Sequence, residues 1–397
     1  MELSHRVQAI KESPTLAVTA RAAKLKAEGR DIIGLGAGEP DFDTPQHIKD
    51  AAKRAIDSGF TKYTPVAGIP GLKKAIVAKF KRENGFDYAL NEVIVGVGGK
   101  QCIFNLALAV LNPGDEVIIP APYWVSYADI ALVAEAKPVI IECGIEQGFK
   151  LTPAQLEAAI TPKTRMFFIN SPSNPTGVVY TREDLKALGT VLLKHPQILI
   201  ATDDMYEHVN LDGKPFVNIL NTTPELKPRT VVLNGVSKAY SMTGWRIGYA
   251  AGPANIIKAM EILQSQSTSN PTSISQVAAQ MALEGPQECI TPMVEAFRER
   301  HQFVVKRFNE IPGLHCIAAG GAFYAFPDAR KAIASLHQAG KITLATDMAL
   351  ADYLLESVGV AVVPGSAFGA EGYFRISFAT SMENLTEALN RIEKALT

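Results

Sequence analysis

The middle of this chain alternates short apolar runs with amphipathic stretches. Residues 93–97, 116–119, 138–142, 166–170, 198–202, 230–234 and 247–251 are strand-length and largely apolar. Runs of that kind suit strands buried on both faces, so they predict a seven-stranded, mostly parallel sheet covered by helices on either side. Between them, Leu72, Ile76 and Phe80 fall on one helix face, as do Leu185, Leu188 and Leu192. Residues 101–111 are apolar almost all round, which predicts a helix buried against the sheet. Near the end, Leu385, Leu389, Ile392 and Leu396 form another stripe, with Thr380 and Glu383 offering a capping box. The fold class is α/β.

The polar groups at the strand ends carry the chemistry. In open α/β sheets, ligands bind outside the carboxyl ends of the strands. Here one apolar run ends in Asn170 and leads to Asn174, and a second ends in Asp203 with Tyr206 three positions on. A third is followed by Ser237 and Lys238, with Arg246 eight residues later. A lysine so placed can form a Schiff base with a carbonyl cofactor, while the serine and arginine bind a phosphate, a combination that suggests pyridoxal phosphate. Gly98, Gly99 and Lys100 follow a strand and open a helix, where bare amides can face an anion. The same turn also occurs in ordinary strand-to-helix connections.

Taken with Gly36-Ala37-Gly38-Glu39-Pro40-Asp41-Phe42 and Phe374-Arg375-Ile376-Ser377-Phe378-Ala379, these motifs give the chain a family likeness. It resembles the fold-type I pyridoxal-phosphate aminotransferases of class I, and within them the bacterial aspartate aminotransferases, a subgroup with thermophile-like members. The resemblance implies a three-layer αβα sandwich with a smaller α+β domain. It also implies a discontinuous division, with a large cofactor-binding domain over 45–285 and a small one built from 1–44 and 286–397. The sequence itself marks only the composition change at Gly285-Pro286.

What the resemblance implies about residues is specific. Lys238 would hold pyridoxal 5′-phosphate, and Asp203 would keep its ring nitrogen protonated. Tyr206 and Asn174 would hydrogen-bond its phenolic oxygen, and Trp124 would stack on its ring. Tyr63 would reach the phosphate of the neighbouring subunit, making a homodimer the active unit. Arg375 would grip the substrate α-carboxylate with its fork, and Gly38 would let backbone approach the same group. A second carboxylate on aspartate needs a cationic partner. Lys100 and Lys11 are the candidates, and in related enzymes the lysine after Gly-Gly takes that role. Residues 10–15 depart from a Lys-Pro-Ser pattern common in the subgroup, which bears on the choice among aspartate, aromatic amino acids and prephenate. The expected reaction is ping-pong transfer from L-aspartate to 2-oxoglutarate, with amino acids and 2-oxo acids as small-molecule partners. The alternatives are an aminotransferase for aromatic amino acids or prephenate, or a carbon–sulfur lyase on the same fold.

Composition narrows the field. The chain has 397 residues, 47% hydrophobic, enough for two domains with sizeable cores. A formal net charge of −1 gives no electrostatic case for nucleic acid or an acidic membrane surface. The polar start at Met1-Glu2-Leu3-Ser4-His5-Arg6 leads into no apolar signal, and no apolar stretch is membrane-length, so a cytoplasmic protein is expected. Cys102, Cys143, Cys289 and Cys316 show no CxxC spacing and the seven histidines no HExxH pattern, so buried free thiols and no metal are expected. Two other classes fit poorly. Gly34, Gly36 and Gly38 suggest a dinucleotide fingerprint, but Glu39 stands where its last glycine belongs and Pro40 and Pro45 interrupt any helix. A transcription regulator on an aminotransferase-like domain would need a DNA-binding segment for which there is no spare length.

Overall fold

The structure is a computed structural model that describes residues 2–10, 12 and 14–397. Among these residues there are twelve strands: β1 (Ile33–Gly34), β2 (Val93–Gly96), β3 (Glu116–Ala121), β4 (Lys137–Glu142), β5 (Thr164–Asn170), β6 (Leu199–Asp203), β7 (Thr230–Gly235), β8 (Gly248–Ala251), β9 (Tyr324–Ala325), β10 (Val360–Ala361), β11 (Val363–Pro364) and β12 (Phe374–Ser377). Seven of them form the large sheet in the order β2-β8-β7-β6-β5-β3-β4. Every pairing is parallel except the two made by β8, which runs antiparallel to both β2 and β7. The predicted runs are therefore the strands, with ends moved by one to two residues.

Alternate residues of these strands enter two different cores. Val93, Val95, Ile118, Phe167, Ile169, Ile200 and Val232 pack with Leu72, Ile76, Leu185, Leu188, Ala278 and Ala282. Their neighbours Ile94, Val117, Ile119, Met166, Phe168, Leu199 and Ala201 pack on the other face with Cys102, Leu106, Ile130, Ile257 and Met260. A strand displays successive side chains on opposite faces, so a strand apolar at every position must be covered twice. The result is the helix–sheet–helix sandwich. The helix Gly99–Val110 buries Gly99, Cys102, Ile103, Asn105, Leu106 and Ala107 against the sheet, as its nearly uniform apolarity predicts.

The chain ends meet beside this sandwich. Strand β1 pairs in parallel with β10, and the Ser377 amide donates to the Leu35 carbonyl at 2.7 Å. Strands β11, β12 and β9 form a small antiparallel sheet. The final helix, Met382–Leu396, buries Leu385, Leu389 and Ile392 as its stripe predicts. Its cap differs from the expected Thr380–Glu383 box. Ser381 is the N-cap, extended at φ −64° and ψ 154°, and its hydroxyl accepts from the Asn384 amide. Thr380 lies one residue too early and instead accepts from the Asn384 side chain at 3.0 Å.

None of the four cysteines forms a disulfide, and Cys289 is half-buried rather than buried. Burial pushes the Cys102, Cys143 and Cys316 thiols up to about 12, away from reactivity. Among the described residues, no helix is long and apolar enough to cross a membrane.

Candidate functional site

The strand ends of β3, β5, β6 and β7, the turn after β2 and the start of β8 share one edge of the large sheet. The sequence leaves polar side chains there because each strand stops at a turn whose residues cannot continue the ladder. Asn170 closes β5, Asp203 closes β6, and Ser237 and Lys238 follow β7. Above this edge lies a cavity of about 410 Å³. Gly38, Gly99, Lys100, Trp124, Asn174, Asp203, Tyr206, Ser237, Lys238, Arg246 and Arg375 all line it.

Lys238 stands half-buried on the wall, and its ammonium donates to the Gly38 carbonyl. Desolvation, with the charges of Arg375 and Arg246 adding to it and Glu39 opposing, lowers the amine to about 8. A lysine so tuned is about one tenth neutral and nucleophilic at pH 7, a far larger share than an ordinary lysine offers.

Asp203 is buried, and the Tyr127 hydroxyl donates to it at 2.6 Å and the Met205 amide at 3.2 Å. Burial pushes its carboxyl up, against those two donors and Lys238. Asp204, the next residue, is fully buried. It accepts from Thr202 and Asn218, and burial with the nearby Glu207 carboxylate raises it to about 8. The reason is the strand's alternation, which sends Asp203 toward the cavity and Asp204 into the core beneath it.

Gly98 and Gly99 open the helix Gly99–Val110, with Gly98 at φ +80°, a left-handed conformation glycine adopts freely. A Cβ on Gly98 would stand 2.3 Å from the Arg246 guanidinium, and one on Gly99 2.5 Å from the Met205 methyl. The turn is thus a bare, crowded cradle of helix-start amides with Arg246 alongside. Ser237 lies on the same wall. That donor set suits a phosphate group. Lys100 sits with its ammonium 5.1 Å from the Trp124 ring centre. Desolvation and the charge of Arg246 lower its pKa.

Arg375 is 2% exposed, on β12 of the small sheet. Its guanidinium donates to Asn174 Oδ1 at 2.8 Å and to the Gly36 carbonyl at 2.7 Å, while its buried Nε has no partner among the described residues. The guanidinium carbon lies 4.5 Å from the Tyr324 ring centre and 4.9 Å from that of Phe368. An arginine desolvated between two rings with an unused donor is poised for a carboxylate.

Two expected residues stand apart. Tyr63 is 93% exposed and does not line the cavity. Lys11 lies outside the described residues. Two others were missed: Tyr127, the partner of Asp203, and Tyr324, whose hydroxyl is 2.8 Å from that of Tyr206. Glu83, Glu207 and His208 bring ligand atoms within 4.8 Å of one another, but the Lys79 ammonium is already ion-paired with both carboxylates.

Comparisons with known proteins bear on this geometry. The family described as aminotransferase class I and II matches residues 30–392. The chain is 66% identical to the aspartate/prephenate aminotransferase of Nitrosomonas europaea, covering 100% of both chains. Among solved structures, the aspartate aminotransferase of Rhizobium meliloti superimposes with a TM-score of 0.94 at 50% identity, covering 100% of this chain and 99% of that one. The Thermus thermophilus aspartate aminotransferase with maleate gives 0.93 at 43% identity, covering 100% of both.

Proposed function

As this chain belongs to the aminotransferase class I and II family, we propose that it moves the amino group of L-aspartate to 2-oxoglutarate. The products are oxaloacetate and L-glutamate, formed in two half-reactions of a ping-pong cycle. The family works with pyridoxal 5′-phosphate, which supplies an electron sink for the charge left when the substrate α-proton departs.

The residues on the cavity wall fit that cofactor. Lys238 would hold it through its amine, and the Gly98–Gly99 amides, Ser237 and Arg246 would take the phosphate. Asp203 would face the ring nitrogen, Trp124 the ring, and Tyr206 and Asn174 the phenolic oxygen. With the cofactor bound, the Lys238 amine would be placed to move a proton at the substrate α-carbon. Arg375 would bind the α-carboxylate beside Gly38, orienting the α-carbon toward Lys238. Lys100 would bind the distal carboxylate, with Lys11 a second candidate.

The observation that carries this reading is the convergence of Lys238, Asp203, Ser237, Arg246 and Arg375 on one cavity. The test is formation of oxaloacetate and glutamate by the purified protein, with Lys100→Ala compared on aspartate and alanine. Removing the Lys100 charge lowers selectivity for aspartate over alanine by about 10-fold or more. Unchanged selectivity removes Lys100 from this role.

The name of the Nitrosomonas europaea relative favours prephenate as a further amino acceptor. Glutamate-dependent consumption of prephenate by the same preparation decides it. The full-length match to these enzymes supports a cytoplasmic homodimer in which Tyr63 completes the partner's phosphate site. It equally supports the division into a large domain over 45–285 and a small one from 1–44 and 286–397, since β1 pairs with β10.

A further inference from the structure

Tyr324 touches both halves of the site. On the small sheet, β9 runs antiparallel to β12 with Tyr324 opposite Ser377. Side chains alternate along a strand, so Arg375, two residues before Ser377, shares the face of Tyr324. Its guanidinium accordingly lies over the Tyr324 ring. The far end of the same side chain reaches across to the large sheet. There its hydroxyl meets the Tyr206 hydroxyl at 2.8 Å, with the two rings edge to face at 5.7 Å. Both tyrosines are buried. One side chain therefore joins the arginine assigned to the substrate with the tyrosine assigned to the cofactor.

We propose that Tyr324 is a positioning residue that sets which way the Tyr206 hydroxyl hydrogen points. The inference rests on the cofactor reading above and concerns a residue which that reading does not use. Each tyrosine hydroxyl has one hydrogen and can also accept. Two hydroxyls in contact share one hydrogen bond, which leaves one hydrogen to point elsewhere. When Tyr324 donates to Tyr206, the Tyr206 hydrogen is released toward the cavity. In the opposite arrangement Tyr206 spends its hydrogen on Tyr324 and has none to offer.

Two features select the first arrangement. The Arg375 charge lies on the face of the Tyr324 ring, which makes this phenol the readier donor of the pair. On its other side the Tyr324 hydroxyl faces Gly38, where a Cβ would already approach to 3.1 Å. No side chain at that position competes for its hydrogen. A hydrogen bond received at the Tyr206 oxygen strengthens the one that its own hydrogen gives. Tyr206 is thereby held as a donor to the phenolic oxygen of the cofactor, and a carboxylate arriving at Arg375 acts on it through Tyr324.

Tyr324→Phe removes the hydroxyl and keeps the ring beneath Arg375. The readout is the pH midpoint of the visible absorption band of the cofactor-loaded protein, with the melting temperature followed alongside. Tyr324→Phe raises the midpoint by about 0.5 unit, since the anionic phenolic oxygen loses part of its donor. Tyr206→Phe raises it further, and adding Tyr324→Phe to Tyr206→Phe changes nothing more, because Tyr324 acts only through Tyr206. A Tyr324→Phe protein that melts earlier with an unmoved midpoint overturns the inference. So does an equal shift with and without the Tyr206 hydroxyl. A wild-type protein that shows no visible band after incubation with pyridoxal 5′-phosphate overturns the cofactor reading and this inference together.

Discussion

Lys238 owes its chemistry to its surroundings more than to its identity. An ordinary lysine holds its proton until far above neutral pH, whereas desolvation beside Arg375 lowers this amine to about 8. Because only the neutral amine attacks a carbonyl, covalent capture of pyridoxal 5′-phosphate by the apoprotein accelerates as pH rises and levels off above about 8. In Arg375→Leu the midpoint of that rise moves up, since a repelling cation is gone. Stopped-flow absorbance over a pH series measures both, and a wild-type rate still climbing at the ordinary lysine pKa contradicts the assignment. The sequence made Lys238, Asp203, Asn174 and Arg375 legible because each sits at a strand end or in a motif of recognisable order. Tyr127 and Tyr324 were illegible for a physical reason. They lie 76 and 118 residues from the partners they touch, and each reads locally as one more core aromatic.

At the scale of an element, the segment from Asp203 to Glu207 is held from below by a buried polar cluster. The Lys79 ammonium, fully buried at the end of the helix Pro70–Lys79, pairs with Glu207 and donates to Asn84 at 2.9 Å. Glu207 also accepts from Asn84 and Asn234. Burial pushes the Glu207 carboxyl up, but Lys79, His208 and Asn84 outweigh it and hold it below its usual range. Tyr206 immediately precedes Glu207 in the chain, so the ion pair fixes the turn that presents it. Lys79→Met leaves the Glu207 charge buried without its cation and destabilises the protein by about 3–5 kcal/mol. A urea unfolding series measures this. A loss under about 1 kcal/mol would mean that the cluster is dispensable. Nothing in the sequence separated Lys79 from the other lysines of an amphipathic helix, because its burial comes from the partners that tertiary packing supplies. The strands, by contrast, were legible from composition alone, since a strand covered on both faces has no polar side to disguise it.

The whole molecule brings its two chain ends together next to the sheet edge, so Arg375 from near the end meets Asn174 from the middle. Tyr63 is exposed and does not line the cavity. In a homodimer it would serve the partner's site, and such sharing has a measurable signature. Tyr63→Phe and Lys238→Ala are each impaired alone. In a mixed dimer one site carries both changes and the other carries neither. Unfolding and refolding an equal mixture therefore restores about a quarter of wild-type activity. Activity no higher than the sum of the separate variants contradicts the shared site. The most direct test of the catalytic assignment is the visible absorption spectrum of the purified protein, with Lys238→Ala as control. L-Aspartate should bleach the cofactor band and 2-oxoglutarate should restore it, while Lys238→Ala shows no such band. A band indifferent to aspartate would contradict the proposed substrate, and no band after incubation with pyridoxal 5′-phosphate would contradict the cofactor site itself.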